Sequence, residues 1–322
     1  MRKSKIGKVT KIIGIMIGIL LFIFLSLTIF HRISLSRERN QLEPIGQLVE
    51  VNGSLMHVYI EGQSEDAPML VFLSGFGTTA PVYDFQPIYE LLSMDFQIAV
   101  VERFGYGYSD IVDNPRDITT VVEETRMALT LAGATGPYIL LPHSMSGLEV
   151  LHWAQLYPEE VLGIIGIDMA VPSFYFHIGE SGTGFLRLQS LFTSIMGGHR
   201  FFLPASASSL DLSEIGLTET AYEQATLLRH RNLLNRTTIA ESGAVYQNAH
   251  TVAQLGIPDI PILLLVSNQQ EEPWTRALSD FATDTGTQIE FLDGSHYLHH
   301  DVAEYIDLLS RSFINSILGI DF

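Results

Sequence analysis

Five short apolar runs, separated by stretches of helical periodicity, set the strongest limit on how this chain folds. They are Met69–Leu73 (MLVFL), 97–101 (QIAVV), 138–141 (YILL), Val161–Ile167 (VLGIIGI) and 261–266 (PILLLV). A run without apolar–polar alternation belongs to a strand covered on both faces, as in a parallel sheet sandwiched by helices. Helices are expected between the runs at 82–94, at Ile118–Leu131 behind an Asp117 N-cap, and at 145–156. A last strand at Gln288–Leu292 and a last helix at 302–318 complete the pattern. The fold class predicted is α/β with a mostly parallel sheet, since parallel neighbours need helical crossovers. Segments 47–51 and 55–61 alternate around Asn52-Gly53, a hairpin signal that adds an antiparallel start.

One stretch breaks the rhythm. From Pro172 to about Gly256 no buried strand is legible, whereas 185–195 and 219–235 have helical periodicity. Gly/Ser-rich joints lie around 179–184 and 204–209. This reads as a helical insertion over the sheet.

The N-terminus is of another kind. Residues 12–30 (IIGIMIGILLFIFLSLTIF) form an uncharged run of 19 residues. As a helix it spans about 28 Å, close to the ~30 Å hydrocarbon thickness of a bilayer. Five cations and no acid precede it, and Arg32, Arg37 and Arg39 follow, partly offset by Glu38. The basic excess places the N-terminus in the cytoplasm and the rest of the chain outside a cell membrane crossed once. Residues 1–32 are then tip and anchor, 33–46 a tether, and 47–322 the catalytic domain. The rivals are a cleaved signal peptide, with Ser34-Leu35-Ser36 as a poor cleavage site, and a buried core helix.

Composition excludes several chemistries. Without cysteine there are no disulfides, thiolate nucleophiles or Cys-ligated metals. The net charge is −18 although the first forty residues are strongly basic, and no lysine follows Lys11. An acidic surface repels nucleic acid and anionic head groups, so neither is expected as a substrate by electrostatic capture, and no nucleic acid is expected as a partner.

The segment Tyr138-Ile-Leu-Leu-Pro-His-Ser-Met-Ser-Gly147 reads as strand, sharp turn and helix, with Ser144 at the turn. A serine there is pushed out above the sheet edge, with the positive end of a helix behind it. The usual pattern is G-x-S-x-G; here Pro142 and Ser146 stand at the glycine positions, and Gly147 follows. The strand at 69–73 ends in Ser74-Gly75-Phe76-Gly77, whose glycines let the backbone approach a substrate oxygen. The N–H groups of Phe76 and Met145 are the natural pair for an oxyanion. Near the C-terminus, Asp293-Gly-Ser-His296 puts an imidazole in a loop after the last strand, where it can serve as general base. A metal reading of His296, His299, His300 and Asp301 lacks a second ligand cluster, and no metal or cofactor is expected. His143 is expected to pack or hydrogen-bond structurally.

On these segments, and on Glu102-Arg103-Phe104-Gly105-Tyr106-Gly107-Tyr108-Ser109-Asp110, the region from about 47 to 322 resembles α/β-hydrolases of the capped esterase, lipase and dehalogenase-like branch. The resemblance implies a helical cap after the sixth strand, where 172–256 falls, and a Ser-His-acid triad. Most relatives carry the acid after the seventh strand, a position that falls on Gln270 here, with Glu271 and Glu272 beside it. Some carry it at the end of the sixth strand, where Asp168 stands. Asp168 is favoured, with Glu271 or Glu272 as alternatives.

The expected reaction is hydrolysis of a small neutral acyl ester or lipid-like substrate. Cap residues Phe174, Phe176, Phe185, Leu188, Leu191, Phe192 and Met196 are expected to supply an apolar pocket. Amide or N-terminal peptide cleavage is the nearest alternative, with Glu180, Asp211 or Glu214 gripping an amine. A catalytically inactive binding protein on the same fold is the other. Dehalogenation and epoxide hydrolysis are disfavoured because they need a carboxylate where Ser144 stands.

Overall fold

A computed structural model describes residues 2–62, 67–180, 182–202 and 215–319. Among them are strands β1 (Gln47–Val51), β2 (Ser54–Glu61), β3 (Met69–Leu73), β4 (Ile98–Glu102), β5 (Tyr138–Pro142), β6 (Val161–Ile167), β7 (Ile262–Ser267) and β8 (Gln288–Leu292). They form one sheet in the order β1-β2-β4-β3-β5-β6-β7-β8. β1 and β2 pair antiparallel, as do β2 and β4, and every other pairing is parallel. Every residue of β3, β4, β5 and β7 is buried, whereas the edge strands β1 and β8 are largely open. This is why the inner strands read as unbroken apolar runs.

The helices are α1 (Arg2–Glu38), α2 (Pro81–Asp84), α3 (Gln86–Leu92), α4 (Ile118–Leu131), α5 (Gly147–Leu156), α6 (Pro172–Ile178), α7 (Gly184–Ser190), α8 (His199–Phe202), α9 (Glu219–Asn232), α10 (Arg236–Gln254), α11 (Trp274–Thr285), α12 (Leu298–Asp301) and α13 (Ala303–Leu318). The pleat splits the core into two layers. Val71 and Leu73 pack with Val122, Leu151, Trp153 and Leu278 from α4, α5 and α11. Leu70 and Phe72 point the other way, into a layer with Ile88, Leu92, Ile306 and Phe313 from α3 and α13.

Three local expectations change. The helix expected over 82–94 is broken at Phe85, because Pro87 has no N–H to continue the ladder from α2. Helix α10 was not legible, since its polar, Thr- and Gly-containing sequence RTTIAESGAVYQNAHTVAQ has no clear apolar stripe. The residues read as a tether are ordered: α1 continues to Glu38 and docks on the insertion. Arg200 holds Glu38 with two bonds of 2.5 and 2.6 Å, and Gln224 on α9 bonds Gln41 and Glu43. The expected joint at 204–209 lies outside the described residues.

α6 to α10 fill the interval between β6 and β7, as the cap expectation requires. The joint between α9 and α10 clamps this insertion to the loop after β4. Asn232 donates to the Thr79 and Gly107 carbonyls, Asn235 to the Gly105 carbonyl, and Thr237 to that of Val112. Gly107 has φ +47, and a Cβ there would fall on the Glu102 carboxylate. The most apolar window of α1 is not buried by the chain, so the core-helix reading is overturned.

Candidate active site

The turn after β5 bends as its sequence requires. Ser144 has φ +55, the left-handed region that costs a non-glycine residue energy and marks a constrained turn. The departures from G-x-S-x-G are accommodated one by one. Pro142 ends β5 opposite Leu73, and the ladder resumes at once, with His143 N–H donating to the Leu73 carbonyl at 2.9 Å. The Ser146 hydroxyl lies buried between the Leu73 and His143 carbonyls, at 2.6 and 2.9 Å. The strict demand for no side chain falls one residue later, because a Cβ on Gly147 would sit 2.1 Å from the Ala170 carbonyl oxygen. Gly75 is equally confined: its Cβ would lie 2.7 Å from that of Ser144. The loop carrying Phe76 thus lies against the serine, and Met145 opens the helical turn on its other side.

His296 joins the serine to a carboxylate. Its Nε2 is 2.8 Å from Ser144 Oγ and its Nδ1 is 2.6 Å from Asp168 Oδ2. A carboxylate only accepts, so Nδ1 carries the ring proton and Nε2 is free to take one from the serine. Asp168 is completely buried, with φ +43 at the end of β6. Besides His296 it accepts from the Gln270 amide at 3.0 Å, Trp274 Nε1 at 2.9 Å and the Ser267 N–H at 3.2 Å. Gln270 thus donates to the Asp168 carboxylate on the neighbouring strand. Glu271 and Glu272 are both exposed, and Glu272 pairs with Arg276 at 2.5 Å. Neither bonds His296, which pairs with Asp168 instead.

Behind the imidazole, His143 bonds the His296 carbonyl through Nε2 at 2.9 Å and packs against its ring. Burial pushes His143 well below the usual histidine range, so it is neutral and acts as a donor here. The four residues weighed as a metal set, His296, His299, His300 and Asp301, face different partners. Asp301 caps Ser295 through its backbone and hydroxyl, while His299 and His300 turn to Asp84 on α2 at 2.9 and 3.1 Å. Burial alone would raise the Asp84 carboxyl, but His299 and His300 together hold it well below the usual range. The Asp84 pairings tie α2 to the turn carrying His296.

Sequence reading missed a second buried cluster. Arg103 donates to the Ser74 carbonyl at 2.9 Å, just before Gly75-Phe76, and pairs with Glu241 on α10 and Glu149 on α5. It fastens the insertion to the loop beside the serine, and no spacing rule links residues so far apart in sequence.

The apolar pocket changes as well. Phe174 packs edge-on against Trp274, which in turn touches His296. By contrast Phe176, Phe185, Leu188, Leu191 and Phe192 are exposed, so they do not line an enclosed pocket. Met196 is half-buried. Of the acids expected to grip an amine, Glu180 is exposed, and Asp211 and Glu214 lie outside the described residues.

The sheet order, the strained serine turn and the inserted helices agree with a profile of the alpha/beta hydrolase fold that matches residues 68–301. The chain belongs to the alpha/beta hydrolase fold family. Within this family it is 35% identical over 322 residues to the uncharacterized protein YbdG of Bacillus subtilis, covering 96% of this chain and 98% of the relative. A pimeloyl-[acyl-carrier protein] methyl ester esterase of Xanthomonas oryzae is 34% identical over 119 residues, 37% of this chain and 42% of its own. Among solved structures, Cfl2 from Burkholderia cenocepacia superposes with a TM-score of 0.62 at 18% identity, covering 85% of this chain and 98% of its own, a likeness of fold alone.

Proposed function

We propose that the chain is a serine hydrolase of carboxylic esters, anchored in a membrane by α1. The observation that carries the reading is His296 bridging Ser144 Oγ and the buried Asp168 carboxylate. In the first step His296 Nε2 takes the serine proton as Oγ bonds the acyl carbon. The carbonyl electron pair moves onto oxygen, held by the Phe76 and Met145 amides. Collapse expels the alcohol, which leaves with the proton from His296, and the acyl group stays on Ser144. Water then attacks with His296 again as base, releasing the acid. Asp168 keeps Nδ1 protonated and stabilises the imidazolium. The esterase relative favours an ester over an amide, and the paired apolar rings of Phe174 and Trp274 suit a neutral acyl group.

Anchoring is supported by the unburied apolar window of α1 and the basic residues before it. The Ser34-Leu35-Ser36 stretch lies inside α1, which counts against cleavage there. The domain then lies on the extracytoplasmic side.

The test is fluorophosphonate labelling of membranes bearing the full chain. Ser144→Ala should abolish the label with the fold intact. Unchanged labelling of that variant would remove Ser144 as nucleophile, and no labelling of the native chain would favour the inactive binding protein.

A further inference from the structure

The apolar residues that fail to line a pocket form a surface with a definite place in the fold. Phe185, Leu188 and Leu191 are 69%, 62% and 43% exposed. Their spacing of three puts them on one side of α7 and of the π-helical turn Leu191–Ile195 that continues it. An outward apolar face of this kind marks a site of interaction rather than a packing remnant.

Its position relative to α1 identifies the partner. Directly after that turn the chain meets the anchor helix. A Cβ on Gly197 would lie 2.5 Å from the His31 ring, so the backbone there is flush against α1. The Phe201 ring, itself 54% exposed, lies 5.6 Å from that of Phe30, the last residue of the apolar run. Residues 197–201, reached directly from the turn that follows α7, therefore adjoin α1 where its hydrocarbon-length stretch ends. Arg32 and Arg37, just past the apolar run of α1, and Arg187 on α7 are all exposed, and such cations suit phosphate head groups. On the reading of α1 as a membrane anchor, we propose that α7 and the following turn are a second membrane contact: Phe185, Leu188 and Leu191 sink into the headgroup–acyl boundary and hold the cap on the lipid surface. The chain runs from this face to the exposed Phe201 beside Phe30 at the end of the apolar run, which favours lipid over a second copy of the chain.

The absence of cysteine makes the test clean. Leu188→Cys, Leu21→Cys and Met94→Cys are each labelled with an environment-sensitive fluorophore in the full chain. Each is then reconstituted in phosphatidylcholine vesicles containing a spin-labelled lipid quencher. Met94 is 70% exposed and lies just before β4, at the sheet edge opposite the serine. The expected result is strong quenching at 21, clear quenching at 188 and little at 94. Quenching at 21 with 188 no different from 94 would overturn the second contact and leave the anchor standing. No quenching at 21 would remove both. Disulfide-linked dimers of the unlabelled Leu188→Cys chain, with no lipid quenching of the labelled one, would assign the face to a second copy.

Discussion

Asp168, itself fully buried, accepts four hydrogen bonds, one of them from the only imidazole that reaches Ser144 among the described residues. Replacing its carboxylate by an amide removes the charge that stabilises imidazolium and permits the wrong tautomer. Asp168→Asn is therefore expected to lower kcat by on the order of 10⁴ with the fold retained. Glu271→Gln, in an exposed side chain, should change it less than about twofold. Steady-state rates on a short acyl ester check both, and the reverse ranking would overturn the assignment. At this scale Ser144 and His296 were legible in sequence because each sits in a short segment of fixed character, strand-turn-helix or post-strand loop. Asp168 was legible only as a candidate. That His296 pairs with it and not with Glu271 or Glu272 depends on the direction of side chains leaving two adjacent strands, which one-dimensional spacing does not contain.

At the scale of elements, the joint between α1 and the cap is built from histidines and one arginine. Arg200 bonds Glu38, His31 and His230, and the His199 ring is buried beside them. Burial, aided by neighbouring cations, pushes His199 down to about 3 and His230 down to about 4. Both are thus neutral in the folded chain yet protonate near pH 6.5 when unfolded. The folded state binds fewer protons in that interval, so stability falls as pH drops below about 6.5 and continues to fall towards the folded values. Each group contributes a slope of up to about 1.4 kcal/mol per pH unit. Thermal unfolding of the full chain between pH 7.5 and 5 should show a falling Tm, and His199→Leu should flatten it. An unaltered slope in that variant would clear His199 of the effect. None of this was readable in sequence, where residues 33–46 looked like a polar connector, because the partners come from 160 or more residues away.

For the whole molecule, α1, the cap and the serine turn form one connected path. α1 holds α8 and α9 through Glu38, α10 holds Arg103, and Arg103 holds the loop beside Ser144. If the cap rests on lipid, a substrate dissolved in the bilayer is taken up beside the site, whereas a soluble one is not. Phe185→Asp combined with Leu188→Asp should lower hydrolysis of a long-chain ester carried in vesicles by about tenfold, a loss of ~1.4 kcal/mol. Hydrolysis of a short soluble ester should be unchanged. Equal loss on both substrates would point to damage to the fold instead.

The sequence by itself determined the parallel α/β sheet, the serine turn, the histidine loop and the apolar N-terminal helix. Each depends on local periodicity, on turn chemistry or on a hydrophobic run long enough to be read without its neighbours. Only the tertiary structure decided which acid faces His296, that Gln270 serves Asp168, that Arg103 links cap to core and that Phe185, Leu188 and Leu191 of the cap point outward. Those are contacts between segments distant in the chain. Burial and charge pairing across such distances are set by how whole layers pack, and residue type alone does not encode which face a side chain will meet.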